Sequence, residues 1–357
     1  MKKKKLLYVA ESFGGGVFTY LSELCTELCS KYDIYVAYSE RSETPGNFKE
    51  YFPPEVKFIR LKYFKREISL ANEIRACGEL KGVIEEICPD IVHLHSTKAG
   101  VIGRVALFGK KLPVFYTPHG YAFHMAEAGK AKRAMYRMIE KVCALGGAVT
   151  VACSKDEYLD ARKLSGRCRL VENGINCDFL DSITLETDKV NTESFTVYTL
   201  GRICAHKNPQ LFNTIAEKMP TVRFLWIGDG EERDKLTAKN ITVSGWVDRN
   251  EALRLASKCH VFLMTSQGEG LPLSLVESMY MGKICVGNNV RGIREILRNG
   301  ENGFLCSSVS EFVSAISIAE NGGEETVKII ENAVADVKNY YNTTVMGRKY
   351  LEIYENY

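Results

Sequence analysis

Two glutamates, Glu269 and Glu277, stand eight positions apart on either side of a Gly-Leu-Pro segment. Proline suits the first turn of a helix, where the N–H that it lacks would have no partner, so Pro272 predicts a helix that continues through Leu273 and Leu275. The unpaired N–H groups at a helix start attract anions. A phosphate bound there would have a carboxylate on either side to accept hydrogen bonds from hydroxyl groups. This arrangement suits a nucleotide sugar, whose diphosphate lies between the hydroxyls of the ribose and those of the sugar.

A second group of charged residues lies in the loop from Gly201 to Asn208, which follows a predicted strand. Arg202 and Lys207 are five positions apart and can both reach one diphosphate, Arg through its planar fork and Lys as a movable point charge. A pair of solvated surface cations is the alternative interpretation. If a diphosphate leaves from this site, the two cations would offset the charge that develops on it.

Two more loops could reach a ligand at the carboxyl ends of predicted strands. Gly14, Gly15 and Gly16 follow the first strand, where a glycine loop brings backbone N–H groups close to a ligand. The next three residues are Val, Phe and Thr, so the dinucleotide fingerprint Gly-x-Gly-x-x-Gly is absent. His119 follows another strand and precedes a glycine, which leaves it free to reach a ligand. A buried, hydrogen-bonded histidine is the alternative.

Four histidines raise the question of a metal site. His93 and His95 alternate with a leucine on one predicted strand and therefore face the same side. Together with His119 and His124 they have the residue type that binds zinc, but the sequence positions no acidic ligand near them. We therefore expect no metal.

Strand-like and helix-like runs alternate along the whole chain, which indicates parallel sheets with helices on both faces. Ser154 and Glu157 have the spacing of a capping box and predict a helix start. The polar segment Asp181–Ser194 interrupts the pattern and predicts a linker. The sequence therefore predicts two α/β domains at residues 1–180 and 195–335, followed by a C-terminal helix at 336–357.

Composition limits the class of protein. The 357 residues suit two domains, and 45% hydrophobic with 25% charged residues is typical of soluble globular proteins. No apolar run approaches the ~20 residues that span a bilayer, and the short apolar start predicts a first strand, not a signal peptide. Twelve cysteines without Cys-x2-Cys spacing favour reduced thiols in a cytosol.

Charge is spread unevenly between the two halves. Residues 1–180 contain 28 Lys and Arg against 21 Asp and Glu, whereas residues 181–357 contain 19 against 23. A basic first half suggests an anionic partner, such as a membrane face or a lipid diphosphate, with chance surface composition as the alternative. Five cations between Lys130 and Lys141 lie on a predicted helix that also carries methionines, which fits either a membrane surface or an ordinary solvated helix.

Taken in order, these segments resemble the retaining glycosyltransferases of the GT-B fold, family 4. The resemblance lies in Glu269-x7-Glu277, in Arg202-x4-Lys207, in the His-Gly loop at His119, and in the loops Trp226–Gly230 and Val243–Val247. It covers nearly the whole chain. It implies an α/β protein in which two Rossmann-like domains face each other across a cleft, with the last helix crossing back to the first domain.

The resemblance also assigns roles to residues. It implies that Glu277 binds the ribose, that Glu269 binds sugar hydroxyls, and that His119 orients the reacting sugar. The implied catalytic residues are His119, Arg202, Lys207 and Glu269. The implied donor-binding residues are Gly15, Gly16, Gly201, Arg202, Lys207, Gly228, Trp246, Val247, Glu269, Gly270, Leu271, Leu273 and Glu277. Gly14 and His95 are implied to contact the acceptor.

The implied reaction transfers a sugar, with retention, from a nucleotide diphosphate donor to a glycan or lipid-linked acceptor. The resemblance favours a UDP-sugar, bacterial surface polysaccharide assembly, no cofactor and no required metal. It implies a cytoplasmic enzyme, with peripheral contact to an anionic inner membrane face and no nucleic-acid partner. A nucleotide-sugar epimerase, a phosphorylase and a catalytically silent nucleotide-sugar-binding protein remain as alternatives. The phosphorylase would need a pyridoxal-binding lysine and a much longer chain.

Overall fold

The computed structural model describes residues 2–41, 44–65, 69–124, 129–187 and 194–357, without the side chains of 184–187. The chain divides into two units. The first runs to Asn173 and takes in Thr343–Tyr357, and the second is Gly174–Asn342.

The first unit is a parallel α/β sheet. Its described strands form one seven-stranded sheet in the order β3-β2-β1-β4-β5-β6-β7, and every pairing is parallel. Short 3-10 turns lie at Phe48–Tyr51 and Ala122–His124. The elements are β1 (Lys4–Phe13), α1 (Gly15–Leu28), β2 (Tyr32–Glu40), β3 (Lys57–Arg60), α2 (Leu70–Ile87), β4 (Ile91–His95), α3 (Thr97–Ala106), β5 (Val114–Thr117), α4 (Lys130–Ala144), β6 (Val149–Ala152), α5 (Lys155–Leu164) and β7 (Cys168–Leu170).

The second unit repeats this architecture. Its described strands form a six-stranded parallel sheet in the order β10-β9-β8-β11-β12-β13. Short 3-10 turns lie at Ala205–Lys207 and Arg233–Lys235. The elements are α6 (Cys177–Thr187), β8 (Thr196–Leu200), α7 (Pro209–Lys218), β9 (Arg223–Ile227), β10 (Ile241–Val243), α8 (Arg249–Ser257), β11 (Val261–Met264), α9 (Leu273–Tyr280), β12 (Ile284–Asn288), β13 (Phe304–Cys306), α10 (Val309–Asn321) and α11 (Glu324–Tyr340).

Each sheet is buried on both faces, which explains why its strands read as apolar runs instead of alternating patterns. In β1, Leu6 and Tyr8 belong to the core on one face, and Leu7 and Val9 to the core on the other. In the second unit, all four residues of β11 are buried. Parallel strands bring their carboxyl ends to one edge, so the loops that follow them within each sheet gather there.

The last helix, α12 (Thr343–Glu355), packs in the first unit against α1. A Cβ at Gly347 would lie 2.8 Å from Cβ of Glu27, so the small residue allows close approach of the two helices. The hydroxyls of Tyr350 and Tyr20 are hydrogen-bonded. This return of the C-terminal helix to the first domain agrees with the expectation from the sequence.

The boundaries differ from those predicted. The first unit ends at Asn173, and the predicted linker Asp181–Ser194 begins inside α6, while its residues 188–193 lie outside the described ones. The predicted final segment 336–357 also contains the end of α11, which belongs to the second unit, and the returning part starts at Thr343. The polar composition of 181–194 did not locate the change of domain, which lies after Asn173.

Among the described residues, every helix is too short or too polar to cross a lipid bilayer.

Candidate active site

Two loops of the second unit are in direct backbone contact at the carboxyl edge of its sheet. A Cβ at Gly228 would lie 2.3 Å from the carbonyl oxygen of Gly201, and one at Gly230 would lie 2.2 Å from that of Ile203. Trp226 fixes the same junction, since its indole Nε1 donates to the Gly201 carbonyl at 2.8 Å. Only glycine permits this approach, so the loops after β8 and β9 form one continuous surface.

Lys207 and Glu269, which are 62 residues apart in sequence, form an ion pair on this surface, with Nζ 2.8 Å from Oε1. His206 is a second neighbour, with Nε2 3.8 Å from the other carboxylate oxygen. Burial acts to raise the pKa of Glu269, but Lys207 and His206 outweigh it and hold this pKa well below its usual range. Glu269 is therefore ionised and accepts hydrogen bonds only.

Glu277 lies on α9, one turn into the helix, and is 6% exposed. Its Oε1 accepts from Nη2 of Arg249 at 2.9 Å, at the start of α8. A buried carboxylate without such a cation would be strongly disfavoured. Pro272 is the residue before α9 and has an extended backbone, so the helix starts at Leu273, one residue later than predicted, and no side chain caps it.

The loop ahead of α9 is held in place by its backbone. The N–H of Glu269 donates to the carbonyl of Arg291 at 3.0 Å. A Cβ at Gly292 would lie 2.4 Å from the carbonyl oxygen of Glu269 and 2.7 Å from that of Gly270. Of the predicted donor-binding residues here, Leu271 is buried and Leu273 packs on the core, so their side chains are not presented to a ligand.

Three other predicted donor residues of this domain are Arg202, Trp246 and Val247. Arg202 lies near the carboxylate of Glu231, with Nε 3.9 Å from Oε2. Trp246 is 62% exposed beside a bridge between Gly228 and Gly245, and Val247 packs against the core. The exposed indole is an apolar surface next to the loop that carries Gly228.

In the first unit, Gly14 precedes α1 and has an extended backbone, while Gly15 is the first helical residue with a φ of +52°. A Cβ at Gly15 or at Gly16 would meet no atom of the described residues within 4 Å. Described atoms therefore leave space on this side of the helix start, and ligand binding by this loop stays a prediction.

His119 follows β5 with a φ of +53°, in a left-handed conformation that a non-glycine residue rarely adopts. Its Nε2 lies 3.0 Å from Nδ1 of His95. The ring of Tyr20 meets the His119 ring edge-on, with the centroids 4.7 Å apart. Burial lowers the pKa of His119 to about 3, so the ring is neutral at physiological pH.

His95 was predicted to contact the acceptor, and its side chain cannot do so, because it is fully buried. It lies on the same side of β4 as His93, as predicted, with the two rings 4.1 Å apart. His93 is also fully buried and hydrogen-bonds Tyr354 at 2.6 Å and Thr117 at 2.8 Å. These histidines are internal supports of the His119 loop.

Sequence reasoning missed Glu157 as a support of the same loop. Ser154 caps α5 by accepting from the N–H of Glu157, as the capping box predicted. The Glu157 carboxylate also reaches the loops after β5 and β6. It accepts from the N–H of Gly120 and from that of Cys153, each at 2.7 Å. Arg249 was missed as the partner of Glu277, because the two are 28 positions apart and no short-range motif indicates such a pair.

Within the described part of the chain, no group of three or more His, Cys, Asp or Glu side chains is arranged to hold a metal ion.

Comparison with known families identifies both units. Residues 14–179 match the family model described as Glycosyltransferase Family 4, and residues 194–319 match the one described as Glycosyl transferases group 1. The chain is a family 4 glycosyltransferase. The two polar clusters therefore lie in the two domains of a transferase, the ion pairs of Lys207 and Glu277 in one and the His119 loop in the other.

Individual relatives agree with this assignment. The UDP-Gal:alpha-D-GlcNAc-diphosphoundecaprenol alpha-1,3-galactosyltransferase of Escherichia coli is 26% identical over 336 residues, which covers 85% of this chain and 82% of that protein. An N-acetyl-D-galactosaminyltransferase of Campylobacter jejuni, named for a PP-undecaprenol-linked glycan, is 22% identical and covers 93% of both chains.

Solved structures share the fold. Sucrose-phosphate synthase from Thermosynechococcus elongatus superposes with a TM-score of 0.83 at 16% identity, over 99% of each chain. The HepE protein of Anabaena, solved with UDP-glucose, gives a TM-score of 0.79 at 18% identity, over 99% of this chain and all of HepE. The transferase thus has two Rossmann-like domains of the GT-B type.

Proposed function

We propose that this glycosyltransferase moves a hexosyl group from a UDP-sugar to an acceptor carried on a lipid diphosphate, with retention at the anomeric carbon. One observation carries the donor half of the proposal. The second domain joins an ionised carboxylate, Glu269, to a cation, Lys207, at 2.8 Å, directly ahead of an uncapped helix start. A phosphate at this place meets a cation and the N-terminus of a helix, and a hydroxyl meets a carboxylate.

The proposal gives each group one task. Lys207, Arg202 and the backbone from Gly270 to Leu273 stabilise the departing diphosphate. Glu277, oriented by Arg249, accepts from the ribose hydroxyls. Glu269 accepts from hydroxyls of the sugar, and His119 orients the reacting sugar, which is the role that the resemblance implies for it.

Glu269 is engaged by Lys207 and is assigned to hydroxyl binding, so the proposal has no carboxylate nucleophile. The acceptor oxygen attacks the anomeric carbon on the face from which the diphosphate departs. The bond from carbon to the acceptor oxygen forms as the bond to the phosphate oxygen breaks, and the acceptor proton passes to that phosphate oxygen. We propose that neither a metal nor another cofactor is needed, which predicts unchanged turnover with EDTA.

The names of the relatives support UDP and a lipid-linked acceptor. The Escherichia coli relative is named for UDP-Gal and a diphosphoundecaprenol acceptor, and HepE was solved with UDP-glucose. A lipid-linked acceptor lies at a membrane, so we place the enzyme on the cytoplasmic face of the cell membrane. The proposed setting is surface polysaccharide assembly.

The first domain has a surface that suits peripheral contact with an anionic membrane. Helix α4 contains one acidic residue, Glu140, and this residue is buried against Arg104 with its Oε2 2.7 Å from Nη2. All exposed charges of α4 are therefore positive. A Cβ at Gly146 would lie 3.5 Å from the ring of Phe108, which brings the end of α3 beside the end of α4. The exposed apolar residues of this surface are Val105, Phe108, Met135, Met138, Val142 and Leu145.

Apolar side chains between cations bind a bilayer by burying apolar area and by attraction to anionic lipid. We expect the protein to float with phosphatidylglycerol vesicles and to float less with phosphatidylcholine vesicles or in high salt. Met138→Glu combined with Leu145→Glu should abolish flotation. Val327→Glu, at an exposed apolar position of the second domain, is the matched control. Equal flotation of the double variant and the control would remove α4 from the contact.

The donor proposal is tested by thermal-shift measurements with UDP-, GDP-, ADP- and dTDP-sugars, because a ligand of the folded state raises apparent stability. Stabilisation by UDP-sugars alone fixes the base, and the best sugar is then used with lipid-linked acceptors. The anomeric configuration of the product, read by NMR, tests retention. Tight UDP-sugar binding without transfer to any acceptor would favour the silent binding protein, and epimerised donor would favour the epimerase.

A further inference from the structure

His119 and His95 share one hydrogen bond, between Nε2 of His119 and Nδ1 of His95, at 3.0 Å. Burial lowers the pKa of both rings, so both are neutral at physiological pH. A neutral imidazole carries one N–H, and only one of two facing nitrogens can carry the shared proton. The pair therefore has two possible states, and each fixes a different tautomer of His119.

The environment of His95 separates these states. Its other nitrogen, Nε2, is buried and has no hydrogen-bond partner among the described residues. If His119 donated, His95 would carry its proton on Nε2, as a buried N–H without an acceptor. Among backbone groups, orphaned buried N–H groups are rarer than carbonyl acceptors that lack a donor, and we apply the same preference to the His95 ring. The state in which His95 donates avoids this orphan.

We propose that His95 is a positioning residue that donates from Nδ1 and locks His119 in the tautomer with its proton on Nδ1. His119, which is a partly exposed residue, then carries an Nδ1–H that can donate to an oxygen of the bound substrate. The catalytic consequence rests on the role proposed above for His119, whereas the tautomer itself does not.

The surrounding contacts keep the His119 ring in register with His95. Thr117, two residues before His119, is hydrogen-bonded to Nε2 of His93 at 2.8 Å. Glu157 accepts from the N–H of the next residue, Gly120, at 2.7 Å. The left-handed backbone of His119 is thus held on both sides by buried groups, and the side-chain direction follows from it.

The tautomer is measured on the ligand-free protein labelled with 15N-histidine, by long-range proton–nitrogen NMR, with His119→Gln used to assign the signal. We expect the Nδ1–H form of His119 in the wild type. In His95→Leu, which removes the donor, we expect a change toward the Nε2–H form that free histidine prefers. His95→Asn retains an amide donor near the position of Nδ1 and should restore the wild-type form.

His260→Gln is the control, because His260 lies in the second unit and its Nδ1 accepts from the backbone N–H of Thr196. It should keep the Nδ1–H form of His119. An Nε2–H form in the wild type, or an unchanged Nδ1–H form in His95→Leu, would overturn the proposal. If His95→Leu does not fold, the wild type and His95→Asn decide it.

A kinetic measurement adds the catalytic consequence. His95→Leu should lower kcat about tenfold while KM for the donor stays unchanged, since one oriented hydrogen bond is lost. His95→Asn should recover most of this loss. If wild-type His119 has the Nδ1–H form but the protein transfers no sugar, the proposed function is wrong and the tautomer assignment is right. If the wild type transfers sugar and His119 has the Nε2–H form, the tautomer assignment is wrong and the proposed function is not affected.

Discussion

Replacement of Glu277 by Gln tests the donor site most directly. The change keeps the side-chain volume and removes the charge that pairs with Arg249 at 2.9 Å. A hydrogen bond to a charged group contributes about 1.5–3 kcal/mol, and a neutral one about 0.5–1.5 kcal/mol. Loss of the charge at one or two ribose hydroxyls should therefore weaken UDP binding by about 10- to 100-fold, at 1.4 kcal/mol per tenfold.

The same change should also destabilise the domain, because removing one charge of a buried ion pair costs about 3–5 kcal/mol and Glu277 is 6% exposed. UDP affinity is therefore measured by titration calorimetry well below the unfolding transition of the variant. Glu301→Gln is the control: Glu301 is also paired with an arginine in this domain, Arg298, at 2.8 Å, but it is largely exposed. A folded Glu277→Gln protein that binds UDP as tightly as Glu301→Gln would refute the reasoning.

Three other predictions follow from the two domains. Lys207→Ala should lower kcat about 100-fold and change donor KM much less, because its charge acts as the diphosphate leaves; wild-type turnover in a steady-state assay would remove that role. Gly230→Ala should lower the melting temperature and the UDP affinity, because its Cβ would lie 2.2 Å from the carbonyl oxygen of Ile203. Gly46→Ala is the control and should be neutral, because its Cβ would meet no atom of the described residues within 4 Å. The pKa of His119 is about 3 in the folded protein and about 6.5 in the unfolded chain, so on acidification the unfolded chain takes up the proton first. The free energy of unfolding should therefore fall by about 2 kcal/mol between pH 7 and pH 5. Urea unfolding at both pH values should show a smaller fall in His119→Gln, and an equal fall would contradict this assignment.

Several features could be predicted from the sequence because their causes are local. The four apolar residues Val261–Met264 favour a buried strand, and the structure has β11 with these bounds. Ser154 predicted the start of α5 through its own hydroxyl, which accepts from a backbone N–H three residues later. Spacing also located Glu269 and Lys207 in loops that follow strands. Each of these inferences depends on residues within one turn or one strand.

Tertiary structure decided which residues face one another. No pattern in the sequence pairs Glu277 with Arg249, 28 residues earlier, or Glu157 with Gly120, 37 residues earlier. His95 has the same polar side chain whether it faces a ligand or the interior, and only the packing around β4 shows that it is buried.

The sequence by itself determined the family, the alternation of strands and helices, and the residue types of the site, since these depend on short-range spacing. The order of the strands, the domain boundary at Asn173 and the partners of each buried charge were decided only by the fold. The physical reason is burial. A buried charge or N–H must find a partner wherever the chain supplies one, and parallel sheets supply it from strands that are far apart in sequence.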